Sequence, residues 1–283
     1  MRLFLLVALT MTAFAANSVL NRAALASGGI DAVSFGTLRL LSGALMLAAL
    51  VLAREGRLRL GGAGRLAGVA GLFLYIYGFS AAYAGMPAGL GALLLFGMVQ
   101  VTMFGGSVAG GERVPAQRWL GAGLAFGGLV WLLWPGGGAA PSLPHALAML
   151  LAGVGWGVYS LAGRKTEVAL VSTAANFVLA TGLGLVVLLG LQLSGSVGPW
   201  SLGAVVLAVV SGAVTSGLGY ALWYAVLPRL PGSVAAVAQL TVPVIAMAGG
   251  MVFLGEALTA RFALAALLVL GGVAVSVVPL RRG

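Results

Sequence analysis

Long apolar runs, separated by short polar, proline or glycine breaks, make up nearly the whole chain. A bilayer core about 30 Å thick requires about 20 mostly apolar residues per helix. Measured against that length, the runs predict ten transmembrane helices near residues 3–21, 32–53, 66–85, 88–109, 117–134, 145–163, 170–193, 201–226, 232–253 and 260–279. Turns at Met86-Pro87 and Arg229-Leu230-Pro231 divide two very long runs into hairpins. We therefore predict an all-α integral membrane protein.

The first apolar run also resembles a secretory leader, because Arg2 precedes it and Ala13-Phe14-Ala15 matches a small-residue cleavage site. Its apolar residues continue to Leu20, which is long enough to span, and the segment has a counterpart in the second half of the chain. We expect the run to be retained as the first transmembrane helix.

The composition agrees with a chain that faces lipid. Hydrophobic residues make up 61% and charged residues 7%, and the mean hydropathy is +1.13. Soluble domains carry roughly 25% charged residues. The formal net charge is +10, but the basic residues lie at the ends of apolar runs and form no patch, so we expect no nucleic-acid partner. Cysteine is absent, which excludes disulfides and thiolate metal sites.

Basic residues are unevenly divided between alternate loops. With a cytoplasmic N-terminus, 12 of the 15 basic residues fall in cytoplasmic segments, while Arg22 and Arg261 are external and Arg39 lies within the second predicted span. Lys and Arg are enriched in cytoplasmic loops of membrane proteins. The distribution therefore predicts that both termini are cytoplasmic.

The chain contains an internal repeat. At an offset of 144, residues 87–134 align with 231–278 without a gap, and the matching positions include Pro87 with Pro231, Gly105-Gly106 with Gly249-Gly250, Gly111-Glu112 with Gly255-Glu256, and Gly127-Gly128 with Gly271-Gly272. We predict two five-helix halves, residues 1–138 and 139–283. Because five is odd, the second half is inverted in the membrane. Inverted repeats are typical of secondary transporters, although a duplication can also simply double a helix bundle.

The repeated signature is a proline turn, a helix of small residues, Gly-Glu, a polar linker and a helix carrying Gly-Gly. It resembles the EamA-like members of the drug/metabolite transporter superfamily, over Met86-Pro87 to Gly127-Gly128 and Leu230-Pro231 to Gly271-Gly272, with Arg39 as a further similar feature. The overall pattern is similar to the bacterial aromatic-amino-acid exporter branch. That resemblance implies a bacterial inner-membrane exporter with a central cavity lined by helices 1, 3, 4, 6, 8 and 9.

Aromatic residues recur on one face of two predicted helices. They are Tyr75, Phe79 and Tyr83 on the third helix and Tyr220, Trp223 and Tyr224 on the eighth. Phe79 and Trp223 are repeat equivalents, and such rings can stack on an apolar or cationic ligand. Packing within the protein or an interfacial belt is the alternative, and a belt suits Tyr83 best. Trp156 and Tyr159 on the sixth helix align with Phe14 and Asn17 on the first.

Asn17, Gln100 and Gln239 are uncharged polar residues within the predicted spans. We expect them to face the interior, since an amide turned to lipid lacks hydrogen-bond partners. They would bind a zwitterionic ligand or, equally, hydrogen-bond between helices. Arg39 would hold a substrate carboxylate, or else extend to the membrane surface or cap helix-end carbonyls.

Several patterns that indicate chemistry are missing. No Walker A motif or H-E-x-x-H motif occurs, so we expect no ATP hydrolysis, no catalytic residue, no metal site and no cofactor. The five acidic residues all fall at loops or span ends, which disfavours a buried proton relay. The sequence thus favours a secondary transporter for amino acids or related metabolites, working by facilitated diffusion or exchange. A lipid-handling flippase and a membrane scaffold are the alternatives, and the oligomeric state is left open.

Overall fold

The computed structural model describes residues 1–111, 115–134, 141–163, 168–230 and 238–277, and these residues are helical with no strand among them. We number the helices in chain order: α1 Arg2–Ala26, α2 Ala32–Glu55, α3 Arg65–Tyr83, α4 Ala88–Ala109, α5 Ala116–Leu133, α6 Leu143–Gly163, α7 Ala169–Leu193, α8 Leu202–Val226, α9 Thr241–Leu254 and α10 Ala260–Val277.

Seven helices of this described part, α1 to α4 and α6 to α8, are long and apolar enough to cross a membrane. Helices α9 and α10 are apolar but shorter within these bounds. Part of the predicted ninth span, residues 232–237, lies outside the described residues. The apolar helices confirm the prediction of an all-α membrane protein, and the count of ten spans stays a prediction.

Local capping fixes several helix ends. The Asp31 carboxylate accepts the Ser34 amide at 2.9 Å at the start of α2, and the Ser201 hydroxyl accepts the Ala204 amide at 3.2 Å at the start of α8. Such caps satisfy amides that have no partner inside the helix. Helix α9 ends at Gly255, whose φ of 66° is left-handed and therefore suits glycine.

Helices of the predicted first half pack against helices of the predicted second half along several pairs. Helices α2 and α7, α4 and α9, and α5 and α10 are in contact, and each pair joins helices at the same place in the two halves. Other contacts come in pairs that are related by exchanging the halves. Helix α3 packs on α6, and its equivalent α8 packs on α1. Helix α4 packs on α6, and its equivalent α9 packs on α1. The core therefore lies between the halves.

The second glycine of the Gly127-Gly128 pair and of the Gly271-Gly272 pair lies at a close contact between α5 and α10. A Cβ atom on Gly128 would lie 2.8 Å from a Val269 methyl group, and one on Gly272 would lie 2.5 Å from the Gly121 carbonyl oxygen. Both glycines therefore let α5 and α10 approach closely, as small residues do between membrane helices.

Candidate functional site

A small cavity lies between the halves, among helices α1, α3, α4, α6 and α8. Its lining consists of Phe14, Asn17, Ser18, Tyr75, Phe79, Leu95, Phe96, Trp156 and Tyr220. The space inside is about 20 Å³, which is enough for about one water molecule. A larger solute therefore requires the surrounding side chains to move apart.

Aromatic rings form a continuous group around this cavity. The Tyr75 ring lies 5.2 Å from Phe79 and 4.8 Å from Trp156, measured between ring centroids. The Trp156 ring is 5.3 Å from Tyr220, which in turn lies 5.5 Å from Phe14. These separations are typical of edge-to-face and offset ring pairs. The group joins α1 and α3 of the first half to α6 and α8 of the second.

The polar part of the wall is centred on Asn17 of α1. Its side-chain oxygen accepts hydrogen bonds from the hydroxyls of Ser211 at 2.8 Å, Thr215 at 2.6 Å and Ser216 at 3.4 Å. Asn21, one turn further on, accepts the Ser80 hydroxyl at 3.1 Å. All six side chains are buried. The Asn17 amide therefore serves as a shared acceptor for three buried hydroxyls of α8.

A π-helical segment, Ser211–Leu218, within α8 arranges those hydroxyls. The i→i+5 turn of a π-helix brings residues five apart, such as Ser211 and Ser216, toward one face, and such segments are frequent at functional sites. Gly212 lies in the same segment, where an added Cβ would collide with the Arg39 carbonyl oxygen of α2. The segment therefore lies against both α1 and α2.

Arg39 of α2 is buried completely. Its Nε donates to the Ser216 hydroxyl at 3.1 Å, and its Nη2 donates to the Tyr75 hydroxyl at 3.0 Å. The guanidinium carbon lies 5.2 Å from the Tyr75 ring centroid and 5.0 Å from that of Phe79, within cation–π range. Extension of Arg39 to the membrane surface, one of the alternatives above, is therefore wrong.

The other predicted site residues occupy varied positions. Trp223 packs on Phe14, with centroids 6.0 Å apart, and is not part of the cavity lining. Tyr159 is buried beside Trp156 and shares a hydrogen bond with the Thr173 hydroxyl at 2.9 Å. Gln100 and Gln239 are half-buried and stand outside the lining, as the described residues define it.

The interfacial-belt interpretation of Tyr83 is wrong. Its side chain is fully buried, its ring packs on Phe79 with centroids 4.6 Å apart, and its hydroxyl donates to the Ala88 carbonyl at 3.1 Å. The ring is held inside by Phe79 of its own helix and by the start of α4, where Gly91 leaves room for it. Position near a helix end did not indicate whether that end faced lipid or the next helix.

Sequence reasoning also missed Ser18, Leu95, Phe96 and the three hydroxyl residues of α8 as parts of the site. The hydroxyl spacing of four and five residues along an otherwise apolar run was the available signal. It went unused because in a regular α-helix Ser211 and Ser216 point in different directions.

A second polar group joins the ends of four helices near Glu256, in the segment between α9 and α10. Both Glu256 oxygens accept the Ala88 amide at the start of α4, at 2.9 and 2.8 Å. Arg22 of α1 lies 3.7 Å from Glu256 and donates to the carbonyls of Tyr83 and Ala84 at 3.2 and 3.1 Å. Burial raises the pKa of Glu256, while the Ala88 amide and Arg22 lower it. We call these residues the Arg22–Glu256 strap.

The repeat equivalent of Glu256, which is Glu112, lies outside the described residues, as does Arg164, which aligns with Arg22 at an offset of 142. Within the described part, no cluster of three or more His, Asp or Glu side chains is placed to hold a metal ion.

Comparison with known proteins decides the family. The model of the EamA-like transporter family matches residues 143–278. An uncharacterised protein of Pseudomonas aeruginosa is 47% identical over 282 residues, covering 98% of this chain and 95% of that protein. The chain belongs to the EamA-like transporter family. A solved crystal structure that is 25% identical, with a TM-score of 0.62 over 94% of each chain, has a similar fold.

Membership of the EamA-like family fixes the general class of this protein. The family is part of the drug/metabolite transporter superfamily, and its members are membrane transporters rather than enzymes. Together with the apolar helices, this makes the chain a multi-pass membrane protein of a transporter family. Its substrate is a small molecule, and its surroundings are lipid.

Proposed function

We propose that this EamA-like protein is a secondary transporter that exports amino acids or related small metabolites across the bacterial inner membrane. The observation that carries the proposal is the cavity between the halves. Its wall combines aromatic rings from α3, α6 and α8 with buried amide and hydroxyl groups. Rings suit an apolar side chain, and fixed polar groups suit the donors and acceptors of a backbone-like head group.

Alternating access around that cavity is the proposed mechanism. It rests on two inverted halves of five spans each, residues 1–138 and 139–283. The helix contacts support this arrangement. If each helix is replaced by its equivalent in the other half, the contact between α3 and α6 becomes the contact between α8 and α1, and the contact between α2 and α7 stays the same. Two halves of the same design provide two alternative closures of similar free energy, one for each side of the membrane.

We also propose both termini to be cytoplasmic, from the distribution of basic residues.

The substrate gradient is the proposed energy source, used by facilitated diffusion or exchange. Within the described residues, no carboxylate is among the cavity-lining side chains, so the usual group for carrying protons is missing from that wall.

A lipid-handling flippase would require a polar groove that opens sideways to the acyl chains. The polar side chains of this wall are instead buried, with Asn17 and Ser18 each 2% exposed. The arrangement therefore favours a soluble substrate.

The test is transport by the purified protein in liposomes, without ATP, using a panel of radiolabelled amino acids and related metabolites. We expect efflux of at least one of them, accelerated by the unlabelled compound on the far side. Protein-free liposomes and a fluorescent lipid-scrambling assay are the controls. Lipid flipping without solute transport, or strict dependence on a proton gradient, would contradict the proposal.

A further inference from the structure

Arg39 combines complete burial with an unpaired polar atom. Its Nε and Nη2 have neutral hydroxyl partners, whereas its Nη1 is buried and has no hydrogen-bond partner in the structure. The ion pair found among the described residues joins Arg22 to Glu256, so no described carboxylate balances the charge of Arg39. The guanidinium therefore has both charge and hydrogen-bonding capacity available.

A buried cation without an anion is unfavourable, because its solvation by water is lost and not replaced by a paired charge. Two ring faces and two hydroxyls recover part of that loss for Arg39. A purely structural role, holding Ser216 of α8 to Tyr75 of α3, would be met by a neutral side chain such as Gln. The charge therefore calls for an anion that is present only part of the time.

The position of Arg39 relative to the cavity indicates where that anion comes from. The guanidinium lies against Tyr75 and Phe79, and both rings line the cavity. With only about 20 Å³ of space, a substrate must displace these rings as it enters. Displacement would expose the guanidinium to the substrate while keeping it away from bulk water.

We propose that Arg39 is the anion-recognising residue of this transporter and that it selects substrates carrying a carboxylate together with an apolar or aromatic body. This inference rests on the proposed transport function. The Nη1 group supplies a new hydrogen bond to the carboxylate, and Nη2 can exchange the Tyr75 hydroxyl for the second oxygen. The guanidinium and the carboxylate then form a bidentate ion pair, with two parallel hydrogen bonds, which their planar geometries favour. An amine with the same body would bring a second positive charge to this site and be rejected.

Three compounds with one ring system test this selectivity: L-phenylalanine, a zwitterion; 3-phenylpropionate, which has only the carboxylate; and 2-phenylethylamine, which has only the amine. Each is added to the purified wild-type protein, and ligand-dependent thermal stabilisation is measured along with inhibition of transport in liposomes. We expect both carboxylates to bind at least about tenfold more tightly than the amine, as a charge-assisted hydrogen bond to a buried group implies. Equal or tighter binding of the amine would overturn the proposal.

Variants then assign the effect to Arg39. Arg39→Gln should remove most of the preference for carboxylates, and Arg39→Lys, which keeps the charge but not the planar pair, should keep the preference with weaker binding. The matched control is Arg54→Gln, which changes an exposed arginine of the same helix and should leave the preference intact. If Arg39→Gln does not fold, the comparison of Arg39→Lys with wild type still tests the proposal. An unchanged affinity of Arg39→Lys for the two carboxylates would exclude a planar guanidinium–carboxylate pair.

The outcomes separate this inference from the proposed function. Carboxylate-selective binding that depends on Arg39, without transport, would leave the inference standing and overturn the transport proposal. Transport of solutes with no dependence on a carboxylate would leave the transport proposal standing and overturn the inference about Arg39. Failure of all three compounds to bind would overturn the inference, whatever transport of other solutes is found.

Discussion

Phe79 and Trp223 are equivalent in the repeat but differ in position. Phe79 lines the cavity, while Trp223 is separated from it by Phe14. We expect Phe79→Ala to weaken substrate affinity roughly threefold to tenfold, since loss of a stacked ring costs about 0.5–1.5 kcal/mol beyond area. Trp223→Ala should have a smaller effect. The measurement is the half-saturation concentration for transport, normalised to folded protein in the membrane.

Phe104 provides the matched control for that series. Its ring pairs with Trp119, with centroids 4.8 Å apart, and is not part of the cavity lining. Phe104→Ala should therefore leave half-saturation unchanged. A rise in this variant as large as in Phe79→Ala would show that the effect comes from general loosening of the helices.

Asn17 joins α1 to α8 by buried hydrogen bonds, so its loss should lower stability. Asn17→Ala would leave the hydroxyls of Ser211 and Thr215 without their shared acceptor in a buried position. We expect a loss of about 1–3 kcal/mol in the free energy of unfolding, measured by denaturation of the purified protein in detergent. Ser160→Ala is the control, because that hydroxyl donates to the Trp156 carbonyl of its own helix. Equal losses in the two variants would contradict the expectation.

The sequence predicted individual site residues unevenly. The repeat and the spacing of rings indicated Phe79, Tyr75 and Trp156, all of which line the cavity. They could not show that Arg39 turns inward, because a long side chain near a helix end can reach either the surface or the interior. Its direction depends on Ser216 and Tyr75, which come from distant parts of the chain.

At the level of helices, the strap gives the Gly-Glu motif a definite role. Gly250 has no side chain where the Glu256 carboxylate lies, and Gly255 turns the chain so that the carboxylate can reach the start of α4. The sequence located this motif twice. It did not indicate that Arg22 and Ala88 were the partners, since those contacts join segments far apart in the chain.

Removing the Glu256 side chain should loosen this end of the bundle. In a Ser18→Cys background, which provides the chain's one thiol within the cavity wall, we expect Glu256→Ala to increase the rate of maleimide labelling severalfold. Glu256→Gln should increase it less, because an amide oxygen can still accept the Ala88 amide. Burial raises the pKa of Glu256, so the folded protein loses stability as pH rises from the ordinary pKa of a glutamate through this raised pKa.

Asp31→Asn is the control for this labelling series. Asp31 caps α2 through Ser34 and takes no part in the strap. Maleimide should label the Ser18→Cys, Asp31→Asn double variant at the same rate as Ser18→Cys alone, which is the parent of the series. Slower labelling in Glu256→Ala than in the parent would mean that the strap holds the cavity open and not closed.

For the whole molecule, orientation in the membrane is the main prediction still to be tested. Ser142 and Gly56 are both exposed and lie in segments assigned to opposite sides. In intact cells, a cysteine at Ser142 should react with an impermeant reagent, and one at Gly56 should react only after the membrane is opened. The reverse pattern would overturn the inverted-repeat topology.

The helices themselves were largely predictable from apolar run length, and most observed ends lie within a few residues of the predicted ones. Apart from the start of α9, which borders residues outside the described part, the largest difference is at α1, which was predicted to stop near residue 21 and continues to Ala26. Polar Asn21 and Arg22 suggested an end there, but both find partners on other helices. Run length measures contact with lipid and does not account for polar groups that neighbouring helices satisfy.

The size of the cavity has a consequence for the membrane that holds the protein. A space of about 20 Å³ admits about one water molecule, so the cavity itself is too small to hold a column of water along which ions or protons could travel. A membrane that stores energy as a voltage would lose that voltage through such a column. Liposomes containing this protein should therefore maintain a potassium diffusion potential as long as protein-free ones do.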